Sequence, residues 1–148
     1  GVRLPACSEL LSKQIAFGLD FADQVMNLEM SARAELARIH ANEVMASIFD
    51  EVDFVISATN PDVAYPAEVQ MNTRVGEQKV GPENNGALTI PANICGNPAI
   101  SIPVAPVEGL PVGMQVMGRH HEDALLLDLA LLVERTCPWP LVAVGAPV

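Results

Sequence analysis

Apolar and polar positions follow different rhythms in successive parts of this chain. From Asp20 to about Phe49 there is neither Pro nor Gly, and Ala, Glu, Met, Leu and Arg dominate, which predicts one long helix. Val25, Leu28, Ala32, Leu36 and Ile39 recur at helical spacing and mark one face. A second apolar set, Met26, Met30, Ala37, Ala41, Val44, Met45 and Ile48, widens it and predicts cover on more than one side. Such a helix would run about 45 Å, longer than a small domain is wide, so a kink, a break or a protrusion is expected. Arg33, Glu35, Arg38, His40 and Glu43 fit its solvated face.

The rhythm changes after Asp53. Asp53 to Ser57 is a short apolar run suited to a strand, and Ala58-Thr59-Asn60-Pro61 follows as a loop. Asn60 to Asn85 is poor in periodic apolar residues and reads as loop, and Glu83-Asn84-Asn85-Gly86 breaks the chain before Ala87 to Cys95. The segment from Asn85 to Arg119 predicts a short helix followed by a buried hairpin. Its strands are Ala99 to Val104, apolar and β-branched apart from Ser101 and Pro103, and Val112 to Met117, which alternates around Gln115. Glu108-Gly109-Leu110-Pro111 links them, with Gly109 free to take a positive φ. Pro103 lacks a donor, so its strand must leave one side unpaired there or carry a bulge. Glu122 to Arg135 predicts a closing helix, with Leu125, Leu126, Leu129, Leu132 and Val133 as the inward stripe. Pro138-Trp139-Pro140 ends it, and an extended tail runs to Val148.

Composition narrows the function classes. With 148 residues the chain can bury a core, and it reads as a single domain, mainly helical over 1–50, with sheet, loop and closing helix over 51–148. Half the residues are hydrophobic, yet no apolar run approaches the ~20 residues of a bilayer span, so no membrane partner is expected. A net charge of −10, with eight unclustered Lys and Arg, leaves no footprint for nucleic acid. Cys7, Cys95 and Cys137 are too widely spaced for a zinc site and odd in number for a disulfide framework, which fits a reducing cytoplasm.

The Gly and Pro positions carry a resemblance. Thr89-x-Pro91-x-Asn93-x-x-Gly96-x-Pro98-Ala99-x-Ser101-x-Pro103, then Gly109-Leu110-Pro111-Val112-Gly113-x-Gln115 and Gly118, resembles the C-terminal part of amidase signature enzymes. Asp53 to Pro61 resembles the family's acid-led strand and Thr/Pro loop, and Glu122 to Arg135 its closing helix. The likeness covers roughly the last two thirds of the chain. It implies an α/β fold, a partial mixed β-sheet flanked by helices that forms the C-terminal part of the family's α/β/α architecture.

The family uses a Ser nucleophile, a second Ser and a Lys, all upstream of the part matched here. Lys13 and Lys79 are the only lysines and no Gly-Ser-Ser cluster exists, so no catalytic residue maps onto this chain. The resemblance implies a small-molecule amide substrate for the intact enzyme, no cofactor, and a missing N-terminal amidase part as partner. A start at Gly1 without Met fits a cleaved or expressed piece of a longer protein. Uncovered strand edges and apolar faces would favour a homo-oligomer, and a non-catalytic assembly module from the same half-fold is the second function to weigh. Family members of the glutamine-dependent amidotransferase kind commonly carry an acid three residues before the matching Thr. Gly86 stands there, which counts against glutamine.

Candidate site residues follow. Thr89, Ile90 and Asn93 are the implied pocket wall, with Asn93 alternatively tying the loop before Gly96 and Ile90 alternatively core. Thr59, with Asn60, is a candidate for lining the same region, or simply shapes the turn. His120-His121-Glu122-Asp123 invites a metal, but adjacent histidines rarely reach one ion, and the acids suit a helix N-terminus. A thiol hydrolase built on Cys95 with His120 or His121 and Asp123 is the remaining alternative, against a buried structural thiol.

Overall fold

In a computed structural model that describes residues 11–69, 71–84 and 86–140, the long first helix breaks, which is one of the three outcomes expected from its length. Helix α1 spans Lys13–Val25, with Ser12 as N-cap accepting from the Ile15 N–H. Met26 then turns extended (φ −75°, ψ 120°), and α2 runs Leu28–Glu51. Asn27 makes the break stable: its Oδ1 accepts the Met30 N–H at 2.8 Å, satisfying a donor the new helix leaves open. Helix α1 starts earlier than predicted, its first turns including Gly18. Cys7, Asn85 and the tail from residue 141 lie outside the described residues.

The chain divides into two compact units at His40 and Ala41. In the first, Phe17 and Phe21 stack at 6.4 Å along one face of α1. Arg38 is hydrogen-bonded to Glu35 on exposed α2, and that guanidinium holds the Glu35 carboxyl below its ordinary value. The expected cover of the α2 apolar faces is missing from the part of the helix in this unit, where Leu28 is 86% and Leu36 66% exposed; toward its end α2 is covered, with Phe49 buried and Met45 packed beside it.

The second unit is built on strands β1 (Val55–Ala58), β4 (Ala99–Val107) and β5 (Leu110–Met117), in the order β1-β5-β4. The α/β class holds, and both pairings in this sheet are antiparallel, with Ser57 and Ser101 flanking Gln115 on one rung. Glu108 (φ 53°) and Gly109 (φ 79°) alone form the hairpin turn, so Leu110 and Pro111 belong to β5 and not to the connection. Two successive positive φ values match the twist of the flanking strands. Pro103 sits opposite Gly113 on a strand that, among the described residues, pairs on one side only, and the register shift falls between Val104 and Val107. The hairpin is less buried than predicted, because β4 exposes most of its residues.

Side-chain alternation gives the sheet two faces. On one, Ile102, Val116 and Leu126 form a buried cluster joined by Leu129, Ala130, Val133 and Trp139. Helix α4 (Asp123–Thr136) supplies this layer, with Glu122 as N-cap and Arg135 in its last turn. Leu125 and Leu132 are 43% and 62% exposed, so the inward stripe is Leu126, Leu129, Ala130 and Val133. On the other face, Met117 and Val55 pack with Met45 and Phe49 of α2 and Ala92 of the short helix α3 (Ile90–Cys95).

The segment read as loop from Asn60 contains a small antiparallel ladder, β2 (Arg74–Val75) with β3 (Gln78–Lys79). Gly76 at φ 55° permits the turn, and Arg74 closes it by donating to the Glu77 carbonyl at 2.6 Å. Arg119 ties the end of α2 to the sheet. Its guanidinium donates to the Phe49 and Val52 carbonyls and to the Asp53 carboxylate at 3.1 Å, and it lies 5.9 Å from the Phe49 ring centroid. A cation on the terminal carbonyls of a helix is favoured both by hydrogen bonding and by the helix dipole.

Candidate functional site

Beyond the Phe49 and Met117 cluster, the same sheet face turns polar. Gln115, buried on the central strand, donates through Nε2 to the Leu88 carbonyl at 2.8 Å and to the Ser57 hydroxyl at 3.1 Å. One amide thereby joins β5, β1 and the turn that leads into α3. One step along, Thr59 continues β1 by donating its N–H to the Gly113 carbonyl at 2.9 Å. The Thr59 and Ser101 hydroxyls then meet at 2.6 Å. Glycine is required between them, since a Cβ at Gly113 would stand 2.4 Å from Ser101 Oγ and 2.7 Å from Thr59 Oγ1.

Thr89, Ile90 and Asn93 come together at the start of α3. Thr89 is its N-cap, and its hydroxyl donates to the Gly86 carbonyl at 3.1 Å. Asn93 Nδ2 donates back to the Thr89 carbonyl at 3.2 Å, so both polar groups fasten the local backbone. Ile90 is 42% exposed and therefore not core. Gly96 ends the helix in the left-handed region at φ 73°, and Gly86 opens the turn at φ 77°. That backbone strains any L side chain, so an acid at position 86 would be disfavoured here. Thr59 stands apart from this trio, and Gln115 links the two places through Ser57 and Leu88.

A cavity of about 270 Å³ opens at the end of β1, with Asn60, Asp62, Tyr65, Met71, Val112 and Gly113 on its wall. A second, of about 260 Å³, lies between Met45, Phe49 and Asp50 of α2 and Asn97, Arg119 and His120. Asn97 is buried and donates Nδ2 to the Gly118 carbonyl at 2.9 Å. His120 Nε2 lies 2.7 Å from the Cys95 carbonyl oxygen; a carbonyl only accepts, so the ring donates there. The imidazole therefore serves the backbone of Cys95 and not its buried thiol, an arrangement that gives no activated nucleophile. Among the described residues no three His, Cys, Asp or Glu gather as ligands.

Sequence reasoning passed over Gln115, Arg119 and Asn97 as site builders. The usable signal was polarity inside apolar surroundings: Gln115 interrupts a strand with buried neighbours, and a buried amide must find partners.

Over residues 5–127 the sequence matches the family model described as Amidase. It is 32% identical over 103 residues to a glutamyl-tRNA(Gln) amidotransferase subunit from Listeria welshimeri, covering 70% of this chain and 20% of that protein. The crystal structure of an amidase superposes with a TM-score of 0.75 at 27% identity, over 86% of this chain and 29% of the other. A bacterial aryl acylamidase of the amidase signature family superposes with a TM-score of 0.74 over 94% of this chain and 29% of the other; at 20% identity that likeness is one of fold. The chain thus spans about a fifth of the length of the curated relatives it matches.

Proposed function

Since this chain belongs to the amidase family, we propose that it supplies part of the sheet and one wall of the substrate pocket in an amide-bond hydrolase whose Ser-Ser-Lys chemistry lies in a further N-terminal amidase part. In that enzyme a Ser attacks the amide carbonyl, backbone N–H groups stabilise the oxyanion, and water releases the acyl group. Thr89, Ile90, Asn93 and Thr59 face the substrate, and the chain alone is inactive. The observation that carries this reading is the Gln115 tether, which seats the Thr89 turn on the strand next to the one ending at Thr59. Gly86 stands where glutamine-dependent members of the family commonly carry an acid, which counts against glutamine and leaves other amides as substrates. Free Cys95 and Cys137 suit a reducing cytoplasm, and among the described residues no helix is long and apolar enough to cross a membrane.

A second reading, a non-catalytic assembly module, is favoured by apolar exposure: Phe17 is 72%, Leu28 86% and Leu36 66% exposed. Such surface favours self-association into a homo-oligomer. Sedimentation of the chain alone and with a separately made N-terminal amidase half separates the two. A one-to-one heterocomplex that replaces the homo-oligomer supports the enzyme role, and a homo-oligomer indifferent to the added half supports the module.

A further inference from the structure

We propose that the Thr59 and Ser101 hydroxyls form a donor site for a neutral carbonyl oxygen, with the rest of the ligand lying in the cavity beside Gly113. Two hydroxyls carry two protons, and one is spent in their mutual hydrogen bond at 2.6 Å. Neither hydroxyl has another hydrogen bond among the described residues, so the second O–H remains to be given. Ser101 is exposed and Thr59 half-buried, which leaves that proton within reach of a ligand. A hydroxyl that already accepts a short hydrogen bond is polarised into a better donor.

The pair is held by backbone and not by flexible side chains. Thr59 is fixed through its N–H on the Gly113 carbonyl, and Ser101 lies on β4 opposite Gln115. Gly113 connects the pair to the cavity: it lies under both oxygens and also forms part of the cavity wall. At about 270 Å³ the space suits a ring with one polar substituent. Tyr65, Met71, Pro111 and Val112 give it apolar contact, and Asn60 follows Thr59 directly. Asp62, on the same wall, opposes an anion. The site therefore takes a neutral acceptor in preference to a carboxylate. That this acceptor is an amide carbonyl rests on the amidase reading; the donor site itself rests on the hydroxyl geometry.

The test is a titration of the ¹⁵N-labelled full chain with benzamide, benzoate and aniline, following the amide signals of Thr59, Asn60 and Gly113. Benzamide should shift these signals, aniline, which has the ring without the carbonyl, should bind about tenfold more weakly, and benzoate should be disfavoured as well. Thr59→Val and Ser101→Ala should each weaken benzamide about fivefold, with Thr59→Ser restoring most of the loss. No shift at these amides, an equal response to aniline, or unchanged affinity in both hydroxyl-deleting variants would overturn the proposal. The comparison of benzamide with aniline needs no variant and decides the matter even if a substitution unfolds the chain. Benzamide binding here without amide hydrolysis in the reconstituted enzyme would sink the amidase reading alone, and hydrolysis without shifts at Thr59 and Gly113 would sink this site alone.

Discussion

Gln115 and Leu88 are 27 residues apart in the chain, yet the Gln115 amide donates to the Leu88 carbonyl at 2.8 Å while also reaching Ser57. This buried contact fixes the backbone that enters α3, and with it Thr89, Ile90 and Asn93. Replacing Gln115 by Leu keeps bulk and leaves the Leu88 carbonyl without its partner. The expected cost is about 1–3 kcal/mol in urea denaturation. Hydrogen exchange at the Thr89 and Ile90 amides should quicken more than at Val116, which sits in the opposite cluster.

Arg119 gathers the Phe49 and Val52 carbonyls and the Asp53 carboxylate under one guanidinium. Arg119→Ala should cost about 2–3 kcal/mol, because hydrogen bonds from a charged donor are lost at a helix end. Arg119→Lys should recover only part, since a single ammonium cannot reproduce the fork. Asp53→Asn should cost under about 1 kcal/mol, as the Asp53 side chain is 81% exposed and screened. Chemical denaturation of the three variants checks the order.

The corrected α4 stripe is tested by a pair of leucines. Leu126, 2% exposed, should lose about 2–5 kcal/mol on truncation to Ala. Leu132, 62% exposed, should change stability by less than about 0.5 kcal/mol in this chain. Equal losses would return Leu132 to the core.

What the sequence made legible was local. The α4 boundaries followed from the acids at its front and the Pro-Trp-Pro beyond its end, and the strand pair followed from β-branched alternation. The break at Asn27 was legible as a need for length relief, but its place depended on one side-chain cap that no Gly or Pro announced. Leu125 and Leu132 share the helical spacing of Leu126 and Leu129, and only the position of the sheet decides which side is covered. The β2–β3 ladder was hidden because two residues per strand make no period. Of the candidate site, Thr59 was singled out as part of a loop, but its partner Ser101 lies 42 residues away and the Gln115–Ser57 contact spans 58. Contacts at such separations leave no trace in local composition.

The hairpin turn offers a gain in stability. Glu108 holds a φ of 53°, a conformation costly for a side chain with a Cβ and well suited to Asn or Gly. Glu108→Asn should stabilise by about 0.5–1 kcal/mol, read as a rise in thermal midpoint with no change at the Thr59 and Ser101 signals.

Hydrolysis of acetanilide by this chain alone, by a separately made N-terminal amidase half, and by their mixture tests the central claim most directly. The mixture alone should be active, with the rate rising on addition of this chain and levelling off near equal amounts. Activity of the chain alone, or an inactive mixture in which the two parts have formed a complex, would contradict the account.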